Sequence, residues 1–349
     1  MPALRALAFW GALLLAWGAG PAAAQSPIRL KVIGGLWGVS QYTRYEAPFW
    51  QERITRLTQG RVLAEIEPFD RSGILPGEML HLMRLGVVPF GTILISSAST
   101  DEPELLGADL PVLNPEMERL RHTVAAYQPR LFRLLAESYD IEGLAIYAYP
   151  AQALFCARPF NGLADLAGRR VRVSSVGQAD VVTALGATPV VTPFAEVVAA
   201  VRNGSVECAI TGTLSGNTIG LSEVTTHVHA MAISWGLSVF GVHRPTFNSL
   251  PPDIQRIIRE GLRALESEIW TAAEDETEDG LACNAGRPNC RNGRPGRMTI
   301  VPVSDEDEAR RRMLLREVVL PAWLSRCGPS CADAWNESLA ASVGMPARP

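Results

Sequence analysis

Arg172, at the centre of Val171-Arg172-Val173, has the clearest chemistry in the chain. Arg170–Ser174 has the β-branched alternation of a strand, and strands of a doubly wound sheet are covered on both faces. A guanidinium in such a strand is partly buried, which is costly unless it is paired. Its planar fork pairs best with a carboxylate, two N–H groups to two oxygens. No acidic residue neighbours it along the strand, so its partner is a distant side chain or a bound anion. Ser174 and Ser175 follow at the carboxyl end, where open α/β sheets collect ligands. An edge strand that leaves Arg172 in water is the other arrangement these residues allow.

Patterns for bond-making chemistry are absent. The chain has no Gly-x-Ser-x-Gly elbow, no His-Glu-x-x-His pair, no phosphate-cradling glycine loop and no dinucleotide fingerprint. Of its five histidines, His227 and His229 share one face of a strand. With no carboxylate at ligand spacing beside them, they are expected to be a structural or surface pair and not half of a metal site. Asp101-Glu102 and Asp305-Glu306 sit in polar turns or helix starts, where they favour the backbone dipole. Six cysteines suit an oxidising compartment. Cys283 and Cys290 bracket one short loop and Cys327 and Cys331 another, which reads as two local disulfides. A four-thiolate zinc site is the rival, but neither pair has the two-residue spacing of a zinc knuckle. Cys156 and Cys208 lie in apolar, strand-like runs and are either paired or buried thiols.

The elements around Arg172 carry the fold assignment. Arg170–Ser174 reads as a strand, Gln178–Leu185 as a helix, Thr188–Val191 as a strand, Phe194–Arg202 as a helix closed at Gly204, and Val206–Ile210 as a strand. This β-α-β-α-β alternation with short Gly/Pro-marked joints predicts a parallel sheet with helices on both faces. Upstream, strands are expected at Leu30–Ile33, Arg61–Glu67 and Val87–Ile95, with a helix through Phe49, Trp50, Ile54 and Leu57 closed by Gly60. Met79–Leu85 is a short helix, and Glu116–Ser138 is helical with a break at Pro129, because proline cannot donate in a helix interior. Strands are expected at Gly143–Tyr149 and Ala153–Ala157, and a strand region at Ala230–Val242 with Trp235 in its middle. Pro251-Pro252-Asp253 opens a long helix with an apolar stripe from Ile254 to Ile269, and its acidic end, Glu274 to Asp279, is expected to face water. A last helix starts at Ser304, capped with Asp307, and runs towards Pro321.

Arg5 precedes an apolar run, Ala6 to Gly18, that ends at Ala22-Ala23-Ala24, so residues 1–24 read as a secretory signal. The run is shorter than a bilayer span, no later segment resembles one, and the protein without its signal is not expected to span a membrane. Removal of the signal leaves about 325 residues, more than one core usually serves. With 47% hydrophobic residues, 19% charged and a formal net charge of -4, the chain has no electrostatic footprint for nucleic acid. The basic cluster Arg287 to Arg297, interleaved with Gly, Pro and Asn, reads as a solvated loop.

One stretch resembles a known family. Arg158-Pro-Phe-Asn-Gly-Leu-Ala-Asp-Leu-Ala-Gly-Arg-Arg-Val-Arg-Val, then Leu-Gly-Ala-Thr-Pro, then Pro193-Phe-Ala-Glu-Val-Val-Ala-Ala-Val-Arg-Asn-Gly-Ser-Val-Glu is similar to the solute-binding proteins of TRAP (tripartite ATP-independent periplasmic) transporters. Thr58-Gln-Gly-Arg-Val, Gly77-Glu78 through Gly86, and Leu250-Pro-Pro-Asp-Ile-Gln extend the resemblance in the same order, from about Leu30 to Trp270, and the four-cysteine C-terminal part is less typical.

The resemblance implies an α/β, two-lobe, periplasmic-binding-protein-like fold with a long helix crossing both lobes. Lobe one would be 25–149 plus about 230–270, and lobe two 150–229 plus about 271–349 with the C-terminal extension. It implies that Arg172 grips a carboxylate, that Phe194 lines the pocket, and that Glu196 holds the adjoining helix. Thr211 stands where sugar-acid-binding members carry asparagine, and Gln152 where some carry a second arginine. Both changes favour a monocarboxylate or a fairly apolar carboxylate over a hydroxyl-rich sugar acid. Gln152, Ser175 and Thr211 would bond its polar groups, and Trp37, Ser97 and Trp235, at strand ends or on a later strand, are further candidates. The expected activity is periplasmic capture of a small organic acid for TRAP membrane subunits, with no cofactor and no catalysis. A sensor or delivery module of another importer is the alternative, and an exported enzyme the third.

Overall fold

Two mixed sheets organise the computed structural model, which describes residues 26–75 and 77–347. The signal segment read at 1–24 lies outside the described residues. In chain order β1 (Ile28–Gly34), β2 (Val62–Pro68), β3 (Phe90–Leu94) and β4 (Ile141–Tyr147) belong to the first sheet. Then β5 (Gln152–Cys156), β6 (Arg170–Val173), β7 (Thr188–Val191), β8 (Cys208–Gly212) and β9 (His227–His229) build the second. Finally β10 (Ser238–His243) returns to the first and β11 (Thr299–Val301) to the second. The strand orders are β2-β1-β3-β10-β4 and β11-β9-β5-β8-β6-β7. In each sheet three neighbouring strands run parallel: β1 beside β2 and β3, and β6 beside β7 and β8.

The chain passes between the sheets at 148–151 and again at 230–237. These crossing segments hydrogen-bond to each other, Tyr149 N to Trp235 O at 3.2 Å, and Gln152 at the start of β5 continues the contact, its N–H donating to Ser234 O at 2.8 Å. Asp109 fastens the second crossing, accepting from Trp235 N at 2.8 Å and Leu237 N at 3.2 Å. The long helix Pro252–Asn284 makes the third passage. Its stripe Ile254, Ile258, Leu262, Leu265 and Ile269 is buried with Trp50, Tyr147 and Phe240 in the first lobe. Each such fully buried apolar side chain contributes roughly 1.5–3 kcal/mol. Its far half is clasped to the second lobe by helix Thr213–Thr218. Thr213 donates to Thr277 O at 3.0 Å, and a Cβ on Gly280 would stand 2.3 Å from Leu214 N, so only glycine permits this approach.

Three expectations about elements are corrected. Helix Met117–Tyr139 runs through Pro129 without a break. Pro129 and Ala125, whose carbonyl loses its partner, are both exposed, so water satisfies that carbonyl. The strand region expected at Ala230–Val242 reduces to β10, and 230–237 is crossing chain with one isolated bridge at Ser234. In the acidic helix end Glu276 and Asp279 are buried, not solvated. Glu276 accepts from the Ser40 hydroxyl, and Asp279 accepts from Arg291 N at 2.7 Å and Asn292 N at 2.9 Å. The C-terminal helices Leu320–Cys327 and Pro329–Ser338, read with the second lobe, also pack on the first: Trp323 donates to Pro103 O at 2.7 Å, while Arg326 pairs with Asp180 of the second at 2.6 Å.

All six cysteines are paired, as Cys156–Cys208, Cys283–Cys290 and Cys327–Cys331. The first pair joins directly opposed residues of β5 and β8. His229, wholly buried on β9, contacts Asp307 at 3.2 Å, and Asp307 completes the capping box with Ser304. The carboxylate beside His229 thus comes from 78 residues away and fastens helix Asp305–Leu314 to the second sheet.

Candidate functional site

Between the two sheets lies a cavity of about 510 Å³, lined from both lobes. Its walls are the segments that leave the carboxyl ends of the parallel strands: after β1, β2 and β3 on one side, and after β6, β7 and β8 on the other. That is where open α/β sheets bind ligands, because helix starts and free backbone N–H groups converge there.

Arg172 stands on β6, between β7 and β8, and is 3% exposed. The edge-strand arrangement is therefore excluded. Nε donates to Thr192 O at 2.9 Å and Nη1 to Ile210 O at 2.7 Å, both neutral backbone acceptors. Nη2 bonds to no protein atom, and among the described residues no carboxylate lies within 4.0 Å of the guanidinium. Burial without a counter-charge pulls its pKa down from 12.5 to about 10. Three of its five N–H donors remain for a group in the cavity. The two carbonyl bonds hold the fork in one orientation, so little order remains to be imposed when an anion arrives.

The neighbouring loops are equally fixed. Ser175 caps helix Val176–Ala184 by accepting from Gln178 N at 3.2 Å. The Gln178 side chain turns back to accept from Ser174 N at 2.9 Å and donates to Ser234 at 2.9 Å. It thereby ties the Arg172 strand end to the crossing chain, a positioning role the sequence reading missed.

Of the residues read from sequence, Arg172, Phe194, Thr211, Gln152, Ser175 and Ser97 share the cavity wall. Ser175 accepts the helix-cap bond and keeps its O–H to donate. Gln152 donates to Pro150 O at 3.1 Å. Trp37 and Trp235 are not in the wall. Trp37 is 44% exposed in the turn after β1, with the Arg71 guanidinium 3.8 Å over its ring. Trp235 is buried, its indole N–H donating to Asn114 O at 2.8 Å, because Asp109 captures its backbone and the positive φ of Gly236 turns the chain. Leu36, Gly236 and Leu237 face the cavity in their place. Glu196, expected to hold its helix, makes no side-chain cap bond and lines the cavity.

The wall also contains residues the sequence reading did not single out, among them Asp70, Asp101 and Tyr149. Their signal was their place just beyond strand ends. Behind the wall Glu46 is wholly buried, accepting from the Thr92 hydroxyl and from Gly35 N at 2.7 Å, and burial lifts its carboxyl to about 7. A larger hollow of about 780 Å³ among the C-terminal helices is lined by Leu320, Leu324, Ala332 and Met345, with Arg316 as its one charged residue. It lies away from the strand ends and presents no buried unpaired charge, so the cleft at Arg172 is the better candidate.

Comparison with known proteins agrees with this architecture. Over 158 residues the chain is 27% identical to a solute-binding protein of Roseobacter denitrificans. The match covers 45% of this chain and 48% of that protein, so the chain spans about half the length of the curated relative it matches. The fold matches that of DctP7, a Bordetella pertussis extracytoplasmic solute receptor binding pyroglutamic acid, with a TM-score of 0.77 at 18% identity, over 88% of this chain and 99% of that one. It also matches a TRAP periplasmic solute-binding protein from Rhodoferax ferrireducens with bound malonate, with a TM-score of 0.76 at 19% identity, over 90% of this chain and 98% of that one. At such identities the likeness is one of fold. The family description "Bacterial extracellular solute-binding protein, family 7" (DctP) matches residues 33–292, and the chain belongs to that family of TRAP solute receptors.

Proposed function

We propose that this protein captures a small organic acid in the cleft between its lobes, outside the cytoplasm, and delivers it to TRAP membrane subunits. The observation that carries the reading is Arg172: a guanidinium 3% exposed, without a counter-ion, oriented by two carbonyls and turned to a cavity. A buried charge of this kind is completed by a planar anion, and a carboxylate accepts from it in the fork-to-fork manner. Phe194 packs the carbon skeleton, Gln152, Thr211 and the Ser175 hydroxyl bond the polar groups, and Ser97 faces them from the first lobe. Closure of the lobes removes water from the ion pair and strengthens it. The differential contact between open and closed states is what a membrane partner reads. The receptors of similar fold bind pyroglutamic acid and malonate, which supports the acid class without naming this chain's cargo. No helix among the described residues is long and apolar enough to cross a membrane, in keeping with a separate membrane partner.

Calorimetry against a panel of mono-, di- and keto-carboxylates, sugar acids and amino acids tests the reading. One-to-one binding of a carboxylate that is lost in Arg172→Ala supports it. Unchanged affinity in that variant would sink the assignment of the site.

A further inference from the structure

Charge is unevenly divided around the cleft. Arg172 is the one cationic side chain in the wall, whereas Asp70, Asp101 and Glu196 are acidic. Among the described residues none of these three carboxylates lies within 4.0 Å of an Arg, Lys or His nitrogen. Among the described residues Asp70 accepts only the Trp37 N–H, at 2.8 Å, and Asp101 and Glu196 accept no hydrogen bond. A second kind of vacancy accompanies them. Tyr149, 6% exposed, belongs to the same wall, and its covered hydroxyl, set against Gly35 and Leu36, makes no hydrogen bond of standard geometry among the described residues. Buried hydroxyls without partners are uncommon, because the lost hydration is not otherwise recovered.

Two of the three carboxylates lie across the cleft from Arg172, whereas Glu196 follows β7 in the same lobe as Arg172. Asp70 and Asp101 follow β2 and β3 in the first lobe, and Arg172 stands on β6 in the second. A solute lying across the cleft with its carboxylate on Arg172 directs its other end at Asp70 and Asp101. A second carboxylate there meets like charge in a site that closure shields from water, and nothing in the wall neutralises it. An ammonium or an N–H group there meets unengaged carboxylate oxygens of Asp70 and Asp101.

Resting on the reading of Arg172 as the carboxylate anchor, we infer that the solute is a monocarboxylate carrying a cationic or N–H-donating nitrogen remote from its carboxylate. Dicarboxylates are rejected by the first lobe. Specificity then comes as much from repulsion at Asp70 and Asp101 as from attraction at Arg172, a division common where related ligands must be told apart.

Isothermal titration of the full exported chain at neutral pH with probes of matched length separates the possibilities: 4-aminobutanoate, butanoate and succinate. The inference expects 4-aminobutanoate to bind at least about tenfold more tightly than butanoate, with succinate weakest. In the double variant Asp70→Asn, Asp101→Asn the preference for the amine should collapse, and succinate should gain about tenfold. Succinate binding as tightly as 4-aminobutanoate, or a preference unmoved in the double variant, overturns the inference and leaves carboxylate capture standing. Failure of all three probes to bind overturns the inference, and binding unaffected by Arg172→Ala overturns the carboxylate reading and this inference with it. Circular dichroism and thermal unfolding of the double variant establish that it folds, and Asp101→Asn alone, at an exposed position, provides a milder second test.

Discussion

Replacing Arg172 by methionine separates a binding role from a structural one. Desolvation lowers the guanidinium pKa from 12.5 to about 10. At about 1.4 kcal/mol per unit, holding the charge in the empty cleft costs about 3 kcal/mol. The two bonds to Thr192 O and Ile210 O offset this, at roughly 1.5–3 kcal/mol for each hydrogen bond from a charged donor. The two bonds together cover that cost and leave between zero and about 3 kcal/mol in the arginine's favour. Methionine fills a similar volume without the charge and leaves two carbonyls to recover partners from cavity water. Unfolding stability of the empty protein should therefore stay within about 3 kcal/mol of the parent, a melting shift of a few degrees at this chain length. Binding should behave otherwise. Loss of a closed, charge-assisted pair costs about 3 kcal/mol or more, over a hundredfold in Kd. Arg172→Lys keeps a charge but loses the fork, and should fall between the two. Thermal unfolding and calorimetry on the same preparations read both quantities. A melting point lowered by more than ten degrees with affinity retained in the folded fraction would refute the reasoning and make Arg172 a structural arginine.

Other outcomes follow from the buried groups behind the cleft. Because burial holds Glu46 near 7 against its ordinary 4.5, the folded chain binds that proton more tightly than the unfolded chain. Its contribution therefore declines as pH rises from about 4.5 to about 7, and Glu46→Gln should be about 3 kcal/mol more stable at pH 8 with a flatter profile. Identical pH slopes in denaturant unfolding of the two proteins would contradict this. His229 acts with the opposite sign. Burial lowers its pKa despite the contact with Asp307, so stability is lost as pH falls through the ordinary histidine value near 6.5. Replacing His229 with glutamine should remove that acid loss, and an acid limb that persists would assign it elsewhere. Cys156–Cys208 closes a separation of 52 residues and Cys283–Cys290 one of 7. Loop entropy makes the first worth about 4 kcal/mol and the second about 2, so the alanine pair at 156 and 208 should melt lower than the pair at 283 and 290. The reverse order would overturn that ranking.

The parts of the fold readable in the sequence are those set by local pattern. The β-α-β-α-β run around Arg172 has short, glycine-marked joints, so strand identity and direction follow from neighbours in the chain, and direction locates the carboxyl ends. Gly60, Gly86 and Gly204 do take the positive φ expected where helices stop. What was not legible depends on contacts remote in sequence. Trp235 looked like a strand residue until Asp109, 126 residues away, captured its backbone. Trp37 missed the cleft by one position, since the turn after β1 decides which residue points inward. Cys156 and Cys208 could be paired only once β5 and β8 were known to be neighbours in register. Asp70, Asp101 and Tyr149 join the site because two lobes face each other, and no local periodicity records that. The unbroken course of the helix through Pro129 depends on which of its faces meets water.

The most direct measurement is the geometry at Arg172 in a crystal of the protein with its bound solute. Two N–H···O contacts of about 2.7–2.9 Å from the guanidinium to one carboxylate, with the lobes closed over it, are what this account predicts. A solute seated elsewhere, with Arg172 still bonded only to Thr192 O and Ile210 O, would contradict it.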